Sequence, residues 1–272
     1  MTASSTSNLR IGLIGSGNMA SAMVAGWHRD DPELAARIVL ADRGSGRARK
    51  LADAYGAQVA ASNRELVAMT DLIVLCVKPL DIETVLREIS AHVHSGHVMA
   101  SVAAGVQTAT IENLLDDDVP VVRFMPNVPV RVNHGTMVYA VGRSTSPLVD
   151  VSVDAFRALG TVVELEERLF DAATALSGSG PAFFGLVVEA FEDAAIVAGL
   201  SAGVGRELAV TTMVGTAELL TREGLECGQL RRMVTSPGGT AAAGLAQMER
   251  SSVRGAIIDA VIAARDRAAE LA

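Results

Sequence analysis

The chain has 272 residues, half of them apolar, a fifth charged and 3% aromatic, with 25 glycines and a formal net charge of −8. That composition excludes a disordered chain, and at about 100–200 residues per domain the length accommodates two modest cores. The acidic balance gives no global basic field for nucleic acid, and only two cysteines, Cys76 and Cys227, exclude a disulfide framework or a four-cysteine zinc site, so a reducing compartment is expected.

The opening Met1–Arg10 is polar and lacks an apolar signal-peptide run. Beyond it, short β-branched runs alternate with amphipathic patterns, as a parallel sheet with crossover helices requires. Strands are predicted at Arg10–Ile14, Arg37–Ala41, Ala57–Ala60, Leu72–Val77, His97–Val102 and Val119–Phe124. Helices are predicted between them at Met19–Trp27, Arg47–Tyr55, Asn63–Met69, Ile82–Ile89 and Thr108–Leu115. Thr136–Val141 and Thr161–Leu165 read as two further strands finishing the sheet around a helix at Pro147–Leu159.

After about residue 165 no strand pattern remains, and Phe170–Leu176, Pro181–Ala198, Ala202–Arg222, Cys227–Val234, Thr240–Met248 and Val253–Leu271 read as helices. Pro181 suits a first turn, Ser201 and Ser252 suit N-caps, and Gly199 and Gly224 suit the positions just past helix ends. The expected domains are therefore 1–165, an α/β parallel-sheet domain, and 166–272, all-α. Several of these helices are apolar on more than one face, as in A-V-T-T-M-V-G-T-A at 209–217, so burial against a second subunit is expected. Apolar stretches are broken before they reach membrane-span length, which predicts a soluble, cytoplasmic protein with no membrane partner.

The first strand runs into Gly15-x-Gly17-x-x-Ala20 and then a helix. Gly15 permits a tight turn, Gly17 lets the backbone approach a pyrophosphate, Ala20 allows close helix–strand packing, and the helix start offers N–H groups to phosphates. Gly15, Ser16, Gly17, Asn18, Met19 and Ala20 are thus candidate dinucleotide ligands. Asp42 at the end of the second strand suits a ribose 2′-hydroxyl and NADH, whereas Arg43 after it suits a 2′-phosphate or an adenine face. The two signals oppose each other; Arg43 tips the reading slightly towards NADPH.

All five histidines, His28, His92, His94, His97 and His134, lie in the first half, and no lysine follows Lys78. The helical half also has no tyrosine, so the ring, amine and phenol groups that usually move protons are missing there. An alcohol-oxidising dehydrogenase needs such a group, and a β-hydroxyacid dehydrogenase wants a lysine in its helical domain. A cyclic imine that enters protonated needs only a positioned hydride donor. His92, His94 and His97 match no zinc spacing and read as a solvated loop, as does the run Asp116–Asp118, so no metal site is expected. L-S-G-S-G-P-A at 176–182 and T-S-P-G-G-T-A at 235–241 read as open turns before helices, able to cradle a small carboxylate with backbone N–H groups.

Together these residues resemble the pyrroline-5-carboxylate reductase family. The markers are G-S-G-N-M-A (15–20), S-N-R-E (62–65), V-K-P (77–79), A-A-G-V (103–106), R-F-M-P-N-V-P (123–129), L-S-G-S-G-P-A (176–182) and V-T-S-P-G-G-T (234–240). The resemblance implies a Rossmann domain followed by a helical dimerisation domain, a homodimer and a pentamer of dimers, and NAD(P)H-dependent reduction of 1-pyrroline-5-carboxylate to L-proline. It implies that Asn63, Val77, Lys78, Pro79, Ala103, Ala104 and Gly105 line the cofactor. It places the imino acid at Ser177, Gly178, Ser179 and Gly180 and at Ser236, Pro237, Gly238, Gly239 and Thr240, and it names no certain catalytic side chain. Ala241 stands where the family commonly has threonine, and Val128 likewise, which leaves open a paralogous reductase of another cyclic imine acid. A non-catalytic dinucleotide sensor is the alternative from another class.

Overall fold

A computed structural model describes residues 9–116 and 118–271. The polar opening before Leu9 and the middle of the Asp116–Asp118 run lie outside the described residues. The chain divides into two compact units, Met1–Ser179 with Ala264–Ala272, and Gly180–Ala263.

The first unit is built on an eight-stranded sheet, counted among the described residues. In chain order it runs β1 (Ile11–Ile14), α1 (Asn18–Asp30), α2 (Pro32–Ala35), β2 (Ile38–Ala41), α3 (Arg47–Tyr55), β3 (Gln58–Val59), α4 (Asn63–Met69), β4 (Leu72–Leu75), α5 (Ile82–Ile89), β5 (Val98–Ser101) and α6 (Thr108–Glu112). It continues with β6 (Val121–Met125), β7 (Gly135–Val141), α7 (Pro147–Arg157), β8 (Gly160–Glu164) and the short α8 (Phe170–Ala173). The strand order is β3-β2-β1-β4-β5-β6-β7-β8. Strands β1 to β6 are mutually parallel, so their carboxyl ends share one edge, and the order reverses on either side of β1.

One element departs from the all-parallel expectation. β7 pairs antiparallel with β6 because only the short segment 126–134, containing a 3-10 turn, joins them, and a parallel return needs a crossover of a dozen residues or more. β8 restores parallel pairing after α7. The sequence reading also missed α2, a single turn with Asp31 as N-cap and Pro32 at its start.

The strands are buried on both faces, which explains their continuous apolar runs. Leu13, Leu72 and Val74 face a layer containing Trp27, Phe124 and Phe156; Ile14, Ile73 and Leu75 face Leu66, Val85, Leu86 and Ile111. Trp27 is fully enclosed, donates its indole N–H to the Ala155 carbonyl at 2.7 Å and meets Phe156 edge-on.

The second unit is helical: α9 (Gly180–Val197), α10 (Ala202–Arg222), α11 (Cys227–Met233), α12 (Thr240–Arg250) and the greater part of α13 (Val253–Glu270). Ser201 caps α10 by accepting from the Val204 N–H, and Gly199 and Gly224 take positive φ past their helices, as their sequence positions predict. Ser252 does not supply the expected extended N-cap, because its backbone is left-handed (φ 55°) in the tight α12–α13 turn. α9 and α10 pack through Gly205 against Ala195. Between them an apolar groove of about 690 Å³ is lined by Phe184, Val188, Phe191, Leu208, Met213 and Leu220 among others. Among the described residues of this unit only Gly180 and Gly205 are buried within the single chain. No helix among the described residues is long and apolar enough to cross a membrane.

Candidate active site

Because β1 to β5 are parallel and in register at their ends, with Ile14 opposite Ala41 and Leu75, and Leu75 opposite Ser101, the segments that follow them emerge on one edge. These are Gly15–Ala20, Asp42–Arg43, Asn63, Val77–Pro79 and Ala103–Gly105. The fold thus brings together every cofactor candidate read from the sequence.

At the centre Gly15 has φ 100°, and an added Cβ would lie 2.9 Å from the Cys76 backbone and the Val77 side chain. Gly17 has nothing within 4 Å of its missing Cβ, so the space above it is free. Gly17 is also the N-cap of α1; it offers no side-chain acceptor, and no acidic residue occupies the first turn. The helix start therefore keeps its positive end and its N–H groups for an anion. The Ser16 hydroxyl beside it is buried without a hydrogen-bond partner. A buried orphan of this kind fits a pyrophosphate oxygen as its missing acceptor.

Asp42 is tied back into its own loop. Its carboxylate accepts from the Gly44 N–H, the Ser45 hydroxyl and the Ala48 N–H, at 2.9, 2.7 and 2.9 Å. The Ser45 hydroxyl, and then the Ala48 N–H, hold its carboxyl below the ordinary carboxylate range. Arg43 reaches Asp81 at 2.9 Å and remains largely exposed. Asn63, the first residue of α4 behind the Ser62 cap, donates to Glu88 at 2.8 Å.

The Ser177–Gly180 segment is not the open turn that its glycines suggest. Thr174–Gly178 form a π-helical turn in which the Ser179 N–H reaches the Thr174 carbonyl, and Ser177 Oγ donates to the Ala173 carbonyl. Small residues allow the widened turn; Gly178 lies against Met125. In the second unit Ser236–Thr240 forms the expected turn: Gly238 has φ 72°, Gly239 is the extended N-cap of α12, and the first turn of α12 has no side-chain cap and no acidic residue. Ser236, Pro237, Gly238 and Thr240 are exposed.

The histidines depart from a solvated loop in one respect. His97 is buried, its ring lies 4.0 Å from that of His94, and its Nδ1 accepts the His94 N–H. Burial, followed by the neighbouring His94, pushes its pKa down. This corner lies at the amino ends of β1, β4 and β5, away from the cofactor candidates, and no three potential metal ligands cluster among the described residues. Asn127, within the R-F-M-P-N-V-P marker, is buried and bonded on both sides, to the Ser177 carbonyl and the Thr136 N–H, a placement that the sequence signals only as a polar side chain in phase with buried Arg123 at the end of a core strand.

A reductase from Mycobacterium leprae named pyrroline-5-carboxylate reductase is 37% identical, covering 98% of both chains, and one from Methanosarcina acetivorans is 35% identical over 97% of this chain and 98% of its own. The chain belongs to the pyrroline-5-carboxylate reductase family. The family model described as pyrroline-5-carboxylate reductase dimerisation matches residues 167–271, and one described as NADP oxidoreductase, coenzyme F420-dependent, matches 10–105. Among solved structures of the family, the Coxiella burnetii enzyme superposes with a TM-score of 0.88 at 32% identity, covering 97% of this chain and 98% of that one. The Plasmodium falciparum enzyme, solved with NADP bound, gives 0.84 at 28% identity over 97% and 98%.

Proposed function

We propose that this chain reduces 1-pyrroline-5-carboxylate to L-proline with NADPH, and less effectively with NADH. The observation that carries the reading is the shared sheet edge, where four post-strand segments surround a glycine turn with an orphaned hydroxyl, in a chain that matches reductases of this substrate along its whole length. The nicotinamide, when bound, supplies a hydride to the imine carbon. The remaining tasks fall to the protein. Gly15–Ala20 and the start of α1 hold the pyrophosphate, Arg43 meets the 2′-phosphate, and Asn63, Val77–Pro79 and Ala103–Gly105 line the rest of the cofactor. The imino acid is assigned to Ser177–Gly180 and to Ser236–Thr240, whose uncapped N–H groups at α12 donate to the carboxylate. Residues 166–272 carry no His, Lys or Tyr, which suits an imine that enters with its nitrogen protonated and needs only to be oriented towards the hydride donor.

The functional division is 1–165 for cofactor and 166–272 for substrate and association. We infer a homodimer through the helical half, assembling further into a pentamer of dimers in the cytoplasm; the exposed apolar helices and the match to the dimerisation family support association through this half. Mixing purified protein with 1-pyrroline-5-carboxylate and either nicotinamide cofactor tests the reading by absorbance at 340 nm. Cofactor oxidation supports it; cofactor binding without turnover of any imine leaves a sensor. Ala241, which offers no hydroxyl to a substrate at α12, favours the second reading of a related ring size, and a higher kcat/KM for the six-membered homologue would establish that paralogue.

A further inference from the structure

The R-F-M-P-N marker is not absorbed by the cofactor edge, yet its alternate residues share one task. Arg123, Met125 and Asn127 lie two apart on β6 and its extended continuation and so project to one face. Arg123, almost fully buried, pairs with Glu167 at 2.9 Å and lies 4.4 Å over the Phe170 ring. Glu167 in turn accepts from both the N–H and the hydroxyl of Thr108. The Met125 methyl would sit 3.3 Å from a Cβ on Gly178. Asn127, also buried, donates Nδ2 to the Ser177 carbonyl at 3.0 Å and accepts the Thr136 N–H on Oδ1 at 2.8 Å. One face of one strand end thereby braces residues 167–178. Both ends of the Asn127 amide are committed, so its orientation is fixed: a flipped amide would set N–H against N–H and oxygen against oxygen.

We propose that Asn127 is a positioning residue for the imino-acid turn, holding Ser177 within the π-helical turn and so setting the backbone that Ser177–Gly180 presents to substrate. The inference rests on the assignment of that turn to the imino acid. Asn127 acts through Ser177 and takes no part in hydride transfer. A π turn is uncommon and needs outside support, and a buried amide bonded on both sides supplies it.

The test is Asn127→Asp in the full-length enzyme. The carboxylate still accepts from Thr136 but opposes the Ser177 carbonyl, and protonation restores a donor. At about pH 8 the KM for imino acid should rise roughly 10-fold or more while the KM for NADPH stays within about 2-fold. Relative to wild type, the deficit should shrink as the pH falls to about 5.5, and Asn127→Ala should show no such recovery. Wild-type imino-acid KM in N127D overturns the inference, as does an equal loss for both substrates or a deficit independent of pH. If N127D does not fold, Asn127→Ser, which keeps a short donor without charge, is read by the same comparison of KM values. A wild-type enzyme that turns over no imino acid overturns the functional reading and this inference together; activity with N127D unchanged overturns this inference alone.

Discussion

Two glycines separated by one residue make opposite demands. Gly15 is required by the fold, because its positive φ and the nearby Cys76 backbone leave no room for a Cβ; Gly15→Ala should lower stability by about 1–3 kcal/mol in a denaturant titration. Gly17 is open in the protein alone, so Gly17→Val should leave the melting temperature almost unchanged while weakening NADPH binding at least 10-fold by fluorescence titration. Strong NADPH binding by G17V would remove the pyrophosphate from this turn. Arg43→Ala should raise the KM for NADPH roughly 10-fold and that for NADH by no more than about 2-fold, since a charge-assisted bond to a 2′-phosphate is lost in one case only. His97 carries a pH signature. Its folded pKa lies below the unfolded value, so the unfolded chain binds more protons and stability is full above about pH 6.5 and declines as the pH falls towards the folded pKa. Asp71 and His94 face it, with Arg10 paired to Asp71. Urea titrations at about pH 7.5 and 5.5 should show a smaller acid loss for His97→Asn than for wild type. Gly15 and Gly17 were legible because their constraint is local; the enclosure of His97 depends on folded neighbours that spacing does not reveal, and the commitment of Asp42 to Gly44, Ser45 and Ala48, though local, depends on the loop conformation they adopt.

At the scale of elements, the parallel strands were readable because burial on both faces makes each a continuous β-branched run between turn signals. The antiparallel insertion of β7 was not, since strand direction follows from the length of the connection and not from the strand's composition. The π-helical turn was likewise hidden: Ser177–Gly180 carries glycines that suggest a loop, and the Asn127 amide that bonds the Ser177 carbonyl lies fifty positions earlier in the chain. α1 is anchored by Trp27, whose ring fills the layer beneath the sheet and whose N–H satisfies Ala155. Trp27→Ala should cost about 3–5 kcal/mol in chemical denaturation, and a loss under 1 kcal/mol would show that this layer collapses around the gap.

The whole molecule shows an asymmetry between its two units. The first encloses its apolar side chains in two layers about a sheet, whereas the second leaves Phe184, Leu186, Phe191, Val214 and Ile258 more than half exposed. Apolar faces of that extent mark association surfaces, and the all-round apolar helices made this legible from the sequence before any partner was considered. Light scattering should find the wild type as a dimer or a multiple of it, and Phe191→Glu should shift it towards monomer; a wild-type monomer at micromolar concentration would refute association through these helices. Hydride delivery to an imine carbon by a cofactor seated on the sheet edge is read most directly by isotope transfer. NADPH carrying two deuteriums at C4 of its nicotinamide, incubated with the protein and 1-pyrroline-5-carboxylate, should yield proline one mass unit heavier, with the label on the ring carbon bonded to nitrogen and remote from the carboxylate. Unlabelled proline, or none, would contradict it.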